Sequence, residues 1–315
     1  MLPKCSDLRR ERRLLGLQTR VAETPPFAMT TIQSRDNKWL KSFRAALRGK
    51  GPDASGKEPI GIEGPKLVEE ALRSGLEVEA LLVSESGERD AARVLKAASE
   101  TEAGIPQSRV LRTTDKLFEG VSGTEAPQGV AALFRQPEWG LDDVLHGSGA
   151  TRGNSPLVVV LAAIQDPGNV GTILRSAEAF GATGAIATRG TADPWSPKAL
   201  RASAGSTLRL PLLRGMAIPV LLAQLRIAGV KIYAASSERN GHHAAASPAA
   251  DLREAAAIFV GNEGAGLPPE MTRAADATIS IPTIDAVESL NAGVAASIVL
   301  YEAARQRAEA AKGGN

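Results

Sequence analysis

The sequence has very few of the side chains that build disulfide scaffolds and metal centres. Its 315 residues include one cysteine, Cys5, and three histidines, two of which are the adjacent His242 and His243. One cysteine excludes a disulfide framework and any multi-cysteine metal site. Three histidines give little basis for a metal centre of another kind. We therefore expect no metal, and we assign no role to the loop around His242.

Aromatic residues and long apolar runs are also scarce. An aromatic content of 3% argues against a base-stacking platform built from many aromatic side chains. The apolar runs are too short to span a bilayer, and nothing resembles the apolar region of a secretory signal. We expect a cytoplasmic protein with no membrane association. A hydrophobic content of 43% is enough for a buried core and two domains.

The net charge of +2 hides an asymmetry between the N-terminal segment and the rest. Residues 1–58 contain 13 Lys and Arg against 6 Asp and Glu, and the remainder contains 24 against 29. A basic arm suits a polyanion-binding protein, but a solvated tail has the same composition. We predict that residues 1–28 form a disordered basic extension. We also hypothesise that Met29 is the true initiator, which mass spectrometry of the native protein tests.

The order of apolar and breaker residues predicts an α/β protein with two folded parts. Residues 29–135 are predicted to form a small α/β domain that begins with a helix. Residues 136–156, rich in Gly, Pro and Ser, are predicted to be a linker. Residues 157–315 then alternate strand and helix, beginning with the apolar run 157–162. This pattern predicts a mainly parallel sheet that is covered on both faces.

Residues 258–295 are the stretch most suited to a ligand site. A short apolar strand ends in a Gly-rich loop that begins at Gly261, and a second predicted strand stops at Pro282. A polar loop follows, and a helix of small residues begins near Ala292. In open α/β sheets, ligands bind outside the carboxyl ends of the strands.

Several common site types do not match these residues. The glycine spacing in residues 261–266 is not that of the Rossmann fingerprint, and no Lys-Ser/Thr pair follows as in a P-loop. There is no G-x-S-x-G nucleophile motif and no Cys/His pair. Asn169 is a helix N-cap or a site residue, and Arg175 is a surface residue or a phosphate ligand. The residues alone therefore indicate an α/β enzyme or binding protein.

Three sequence blocks together resemble the SpoU (TrmH-type) RNA 2′-O-ribose methyltransferases of the SPOUT superfamily. They are residues 166–175 (DPGNVGTILR), residues 259–267 (FVGNEGAGL), and residues 281–282 (IP) with 289–291 (SLN). Residues 197–205 (PKALRASAG) also look familial. The resemblance is strong over residues 157–310. Residues 58–134 are similar to the small RNA-binding domain of the family, which is like a ribosomal protein.

The resemblance implies a fold, a methyl donor and a partner. The implied fold is an α/β sheet with a C-terminal deep trefoil knot, which general topology rules would exclude. S-adenosylmethionine is implied to lie in the knot, largely on the main chain at Gly261, Ile281 and Leu290. Members of the family are usually homodimers with the site at or near the interface, so the partner can contribute part of the site.

The implied reaction is methyl transfer to a ribose 2′-hydroxyl. The family assigns proton removal to the arginine that Arg175 matches. Because a guanidinium is a poor base, we favour phosphate anchoring and stabilisation of the developing alkoxide. The resemblance implies that the remaining polar positions hold Arg175 and the ribose in register: Asn169, Glu263, Ser289 and Asn291.

The separate N-terminal domain and the basic arm favour ribosomal RNA, and 23S ribosomal RNA in particular, as the substrate. Two alternatives are a tRNA 2′-O-methyltransferase and a non-catalytic RNA-binding factor for ribosome assembly. The sequence does not indicate which nucleotide is methylated.

Overall fold

Two β-sheets, one in each half of the chain, organise the computed structural model. The structure describes residues 29–49, 58–101, 104–236, 244–246, 250–284 and 289–313. The predicted disordered extension and the His242 and His243 pair lie outside the described residues. No helix among the described residues is long and apolar enough to cross a membrane.

The first sheet is mixed and has helices on both faces. Its strands are β1 (Thr30–Ile32), β2 (Ile60–Glu63), β3 (Val78–Ser84), β4 (Val110–Thr113) and β5 (Val130–Phe134). Its helices are α1 (Lys38–Arg48), α2 (Pro65–Arg73), α3 (Glu88–Ser99) and α4 (Asp115–Glu119). The strand order is β1-β4-β3-β5-β2, with β5 antiparallel to β2 and β3. Helices α1 and α4 pack on one face, and α2 and α3 pack on the other.

Within the described ranges, the second sheet has seven strands, and every pairing in it is parallel. Its strands are β6 (Leu157–Leu161), β7 (Gly184–Thr188), β8 (Leu212–Met216), β9 (Lys231–Ala235), β10 (Ala244–Ala246), β11 (Ala256–Val260) and β12 (Ala277–Ser280). Its helices are α5 (Leu141–His146), α6 (Pro167–Ala179), α7 (Pro197–Ser203), α8 (Ser206–Arg209), α9 (Ile218–Ile227), α10 (Pro269–Ala274) and α11 (Ala292–Gly313). The strand order is β10-β12-β9-β11-β6-β7-β8.

Alternate residues of the central strands face two different helical layers. Val158 and Val160 of β6 lie in a cluster with α5, α9 and α10, whereas Val159 and Leu161 lie in a cluster with α6 and α11. Burial of both faces explains why β6 reads as an unbroken apolar run. The predicted α/β fold, with a mainly parallel sheet after a smaller domain, is confirmed.

The C-terminal chain returns across the second sheet after β12. Helix α11 follows β12 in the chain, but it packs against α6, the helix that comes after the central strand β6. The Ser176 and Ser297 hydroxyl oxygens are 2.6 Å apart at this contact. At its start, Gly293 lies so close to Thr172 that an added Cβ would be 3.0 Å from the threonine methyl carbon. The predicted C-terminal knot needs such a return from a strand near the edge of the sheet to α6.

Residues 136–156, predicted as a linker, contain a packed helix. Val144 and Leu145 of α5 are buried in the core of the second sheet. Strand β7 begins at Gly184, which lies directly against this helix. A Cβ added at Gly184 would be 2.7 Å from the Cα of Val144. By its packing, α5 therefore belongs with the second sheet.

Candidate functional site

A cavity of about 380 Å³ lies at the carboxyl ends of β9, β11 and β12. The sequence predicted a ligand site at this position, beyond the strand ends. The cavity is lined by Ala234, Ala235, Ser236, Val260, Gly261, Asn262, Glu263, Gly264, Ala265, Gly266, Leu267, Thr272, Ile279, Ile281, Thr283, Ser289, Leu290, Ala292 and Ala295. Small side chains and backbone therefore form most of its wall.

The loop after β11 folds back on itself, and Gly261 makes this possible. The backbone N–H of Asn262 donates to the Gly266 carbonyl at 3.1 Å, and the Gly266 N–H donates to the Asn262 carbonyl at 2.8 Å. A Cβ on Gly261 would lie 2.4 Å from the Gly266 carbonyl carbon. Only glycine permits this approach.

Asn262 is a site residue that the sequence analysis missed. Its Oδ1 accepts from the N–H groups of Gly264 (2.9 Å) and Ala265 (3.2 Å), and its Nδ2 donates to the Ala163 carbonyl at 3.2 Å. Ala163 has a φ of 54°, a strained conformation for a residue with a Cβ. Asn262 thus braces the loop after β11 against the loop after β6. The available signal was an Asn two residues before a glycine, which favours such a turn.

Glu263, Asn169 and Asn291 form a closed polar cluster that joins the loop after β11, the first turn of α6 and the start of α11. Oε1 of Glu263 accepts hydrogen bonds from Nδ2 of Asn169 (2.7 Å), Nδ2 of Asn291 (2.7 Å) and the N–H of Ala292 (3.1 Å). Asn291 Nδ2 also donates to Asn169 Oδ1 at 3.0 Å. Asn291 in addition caps α11, since its Oδ1 accepts from the N–H groups of Gly293 (3.0 Å) and Val294 (3.2 Å).

The cluster leaves one carboxylate oxygen available at the cavity. Among the described residues, Oε2 of Glu263 has no hydrogen-bond partner, whereas Oε1 has three. Asn169 and Asn291 fix the orientation of this carboxylate. An oxygen held in this way can accept a hydrogen bond from a bound hydroxyl group.

The structure brings most of the predicted site residues together, but it places Arg175 apart from them. Gly261, Ile281 and Leu290, predicted for the methyl donor, line the cavity, as do Glu263 and Ser289. Asn169 and Asn291 reach the cavity through Glu263. Arg175 is exposed on α6, does not line the cavity, and makes no ion pair or side-chain hydrogen bond with any described residue.

An ion pair between Lys198 and Asp166 lies at the beginning of α6. Lys198 Nζ lies 2.5 Å from Oδ1 of Asp166, the residue that precedes the helix. This hydrogen bond, helped by the Gly168 N–H, lowers the pKa of Asp166 below its usual range. Asp166 therefore stays ionised and fixes the first turn of α6 against α7.

The cavity fits S-adenosylmethionine in size and charge. Its volume lies within the range of small-molecule sites. Glu263 is the one charged side chain among the described lining residues, and its negative sign suits a sulfonium cation. No group of three or more His, Cys, Asp or Glu side chains in the described part of the chain is arranged to hold a metal ion.

Family models match both halves of the chain. Residues 156–301 match the SpoU rRNA Methylase family, and residues 57–132 match an MRM3-like substrate binding domain. These two matches fall on the second and the first sheet respectively.

Individual relatives match over nearly their full length. The chain is 33% identical to the 23S rRNA (guanosine(2553)-2'-O)-methyltransferase RlmP of Bacillus subtilis, over 87% of this chain and 98% of the relative. It is 32% identical to the 23S rRNA (uridine(2479)-2'-O)-methyltransferase of Streptomyces viridochromogenes, over 92% and 96%. An AdoMet-bound rRNA methyltransferase from Sinorhizobium meliloti superposes with a TM-score of 0.73 at 29% identity, covering 88% of this chain and 98% of that one. This identity and coverage, together with the fold and the polar cluster, show that the chain belongs to the SpoU rRNA methylase family.

Proposed function

We propose that this protein transfers the methyl group of S-adenosylmethionine to a ribose 2′-hydroxyl in 23S ribosomal RNA. The observation that carries the proposal is the cluster of Glu263, Asn169 and Asn291 beside a cavity walled by backbone. The relatives named as 23S rRNA 2′-O-methyltransferases support the substrate class. An enzyme that modifies ribosomal RNA works where ribosomes are made, so we place it in the cytoplasm.

The residues of the site have separate tasks in this reaction. The methyl donor supplies an electrophilic carbon, so the protein has to orient the hydroxyl in line with it and assist the loss of its proton. Gly261, Ile281 and Leu290 hold the donor through the main chain. Oε2 of Glu263 accepts a hydrogen bond from the ribose, and Ser289, at the cavity wall, contacts the nucleotide.

Arg175 acts as an anchor for phosphate and for the developing alkoxide. Its guanidinium is a poor base at neutral pH because it does not give up its proton. Its donors match the oxygens of a phosphate in pairs, and its charge stabilises an oxyanion. Since Arg175 does not line the cavity of its own chain, it serves the cavity of a second copy.

We propose a homodimer formed through the outer face of α11. Val294, Ile298 and Tyr301 recur at helical spacing on this helix and are 46%, 37% and 54% exposed. An exposed apolar stripe on one helix face is typical of an interaction surface. Arg175 lies near this stripe, because its neighbour Ser176 touches Ser297, which precedes Ile298. A two-fold pairing there carries Arg175 of one protomer towards its partner's cavity.

The domain bounds are also a proposal. We assign residues 29–135 to RNA substrate binding and residues 157–315 to methyl transfer, with 136–156 between them. The two family matches support this division. Limited proteolysis with mass mapping is expected to cut first outside these two ranges and outside the packed helix α5. Early cuts inside β2 to β5 would contradict the division.

The proposed activity is tested by methyl transfer from labelled S-adenosylmethionine to total RNA from a host that lacks this protein. We expect label in 23S RNA at one alkali-resistant dinucleotide, which also names the nucleotide. Label in transfer RNA would indicate the tRNA enzyme. Binding of both the methyl donor and RNA without transfer would indicate the assembly factor.

A further inference from the structure

A second and larger cavity lies in a cleft between the two halves of the molecule. It measures about 910 Å³ and is separate from the cavity at the strand ends. One wall comes from the end of α1 and the loop after α4, and the other comes from the start of α6, the segment that leads into α7, and α7 itself. Its lining includes Arg48, Gly123 and Glu125 on the first side and Pro167, Lys198 and Arg201 on the second.

The first wall carries Arg48, and Arg44 lies on the same helix outside the described lining; neither charge is neutralised by a described carboxylate. Arg48 donates to the backbone carbonyls of Ser122 (2.6 Å) and Glu119 (2.9 Å). One turn earlier, Arg44 donates to the carbonyl of Gly120 at 3.2 Å. These carbonyls fix the two guanidiniums in place and leave their positive charge intact.

The second wall carries Arg201 in an exposed position on α7. No described residue forms an ion pair or side-chain hydrogen bond with Arg201. Asp193, a carboxylate in the cleft lining, is engaged by Arg214 at 3.2 Å. Glu125 is the other carboxylate among the described lining residues. The cleft therefore offers cations on both walls, with Arg201 free to bind an anion.

The cleft lies next to the methyl-transfer cluster, on the other side of the first turn of α6. Pro167, at the start of α6, lines the cleft, and Asn169 lies two residues further along and binds Glu263. The first turn of α6 thus separates the cleft from the cavity at the strand ends. If an RNA strand were bound in the cleft, its next nucleotide would lie at this cluster.

We propose that this cleft holds the ribose–phosphate backbone of the RNA segment adjacent to the methylated nucleotide, with Arg201 as a phosphate contact. This inference rests on the proposed function. No aromatic side chain is among the described lining residues, so the cleft does not stack bases. Phosphate contacts position a nucleic acid without reading its sequence. The cleft therefore sets affinity and alignment, and the nucleotide is chosen elsewhere.

The test compares Arg201→Ala with Arg89→Ala. Arg89 is an exposed arginine on α3, on the opposite face of the first sheet from α1. Binding of a short fluorescein-labelled single-stranded RNA of mixed sequence is measured by anisotropy over a KCl series. We expect Arg201→Ala to weaken binding about tenfold and to reduce the slope of log K against log salt by about one. Arg201→Lys is expected to restore the slope, and Arg89→Ala is expected to match the wild type.

Two further measurements separate the possible failures. S-adenosylmethionine affinity, measured by calorimetry, is expected to be unchanged in Arg201→Ala, and an equal loss of donor and RNA binding would overturn the assignment. Wild-type protein crosslinked to 4-thiouridine RNA should yield adducts in residues 119–125 and 196–201, and adducts only elsewhere would also overturn it. If the wild type methylates ribosomal RNA but Arg201→Ala behaves as Arg89→Ala does, the cleft assignment alone is wrong. If the wild type transfers no methyl group, the proposed function fails instead.

Discussion

At the scale of single residues, Arg175 and Glu263 can be tested for action across a dimer. Arg175→Ala is expected to lower methyl transfer about 100-fold or more, because a donor aimed at a developing oxyanion is lost. S-adenosylmethionine affinity should remain, since Arg175 does not line the cavity. Labelled-methyl transfer and calorimetry measure the two effects. Loss of both together would contradict the assigned role.

A mixture of two inactive variants shows whether Arg175 acts in the partner's site. Arg175→Ala and Glu263→Gln are unfolded and refolded together so that mixed dimers form. If Arg175 acts across the interface, each mixed dimer has one site with both wild-type residues. If Arg175 acts within its own chain, no site has both. In the first case the mixture should recover about a quarter of the wild-type rate, because half of the dimers are mixed and one of their two sites is intact. No recovery in dimers shown to be mixed would place Arg175 in its own chain's site.

Asn291 has two tasks that a pair of variants can separate. Its Oδ1 caps α11, while its Nδ2 holds Glu263 and Asn169. Asn291→Ala should lower the free energy of unfolding by about 1 kcal/mol, the usual cost of a lost cap. Asn291→Ser keeps a capping oxygen and should retain most of that stability. Both variants should lose methyl transfer, as measured beside urea unfolding, because neither orients Glu263. Normal transfer by Asn291→Ser would contradict this role.

The polar cluster was predictable from the sequence in its membership but not in its geometry. Asn169, Glu263 and Asn291 are far apart in the chain and were grouped by family resemblance. Their mutual hydrogen bonds depend on where the loop after β11 meets the beginnings of α6 and α11. Asn262 was missed because its function is to close a local turn, and an Asn next to glycines is common in turns of every kind. Arg175 was predicted as a site residue, and only the structure shows that it does not line the cavity of its own chain.

At the scale of helices and strands, α11 provides the surface of the proposed dimer. Ile298 lies in the middle of the exposed stripe between Val294 and Tyr301. Ile298→Lys places a charge in that surface and should convert the dimer to monomers, because burying an unpaired charge is unfavourable. Sedimentation equilibrium measures the change, and methyl transfer should fall with the dimer fraction.

Ile227→Lys is the matched control for this substitution. Ile227 lies on α9, is 81% exposed, and does not belong to the α11 stripe. It should leave both mass and methyl transfer as in the wild type. A dimer that survives Ile298→Lys but dissociates with Ile227→Lys would move the interface to α9.

Long, strongly patterned elements were predictable, whereas short ones were not. The apolar run of β6 and the small-residue helix α11 were read from the sequence. β1 was missed because it has three residues and forms by parallel pairing with β4, which is distant in the sequence. α5 was hidden by the Gly- and Pro-rich residues around it, although Val144 and Leu145 are buried. In both cases, tertiary contacts decide the structure and local propensity does not.

At the scale of the whole molecule, Arg209 connects the two halves. Its guanidinium, on α8, donates to Glu178 on α6 at 2.7 Å and also to Glu70 on α2 in the first domain. Arg209 and Glu178 have side chains that are 34% and 30% exposed, so the contact is partly shielded from solvent. Gly205 fits against Glu70 at the same junction. These contacts set the relative position of the walls of the cleft.

The charge of Glu178 makes this junction sensitive to acid. Burial alone would raise the pKa of Glu178, but hydrogen bonds from Arg209 and Ser206 outweigh burial and lower the pKa below its usual value. A carboxyl whose pKa is lowered in the folded state contributes stability that is present above its unfolded pKa and is lost as pH falls through the folded value. The contribution of Glu178 should therefore be complete above about pH 5 and disappear at lower pH.

Glu178→Gln tests this dependence, because it preserves size and removes the titrating group. At pH 7 the variant should have a lower free energy of unfolding than the wild type. The difference should shrink as the pH falls below about 5 and through the lowered folded pKa of Glu178, since the wild-type carboxylate becomes protonated there. Urea unfolding at each pH measures it, with Glu85→Gln as the control at an exposed position without a partner among the described residues. A difference that stays constant with pH would mean that Glu178 stabilises this region by packing and not through its charge pair with Arg209.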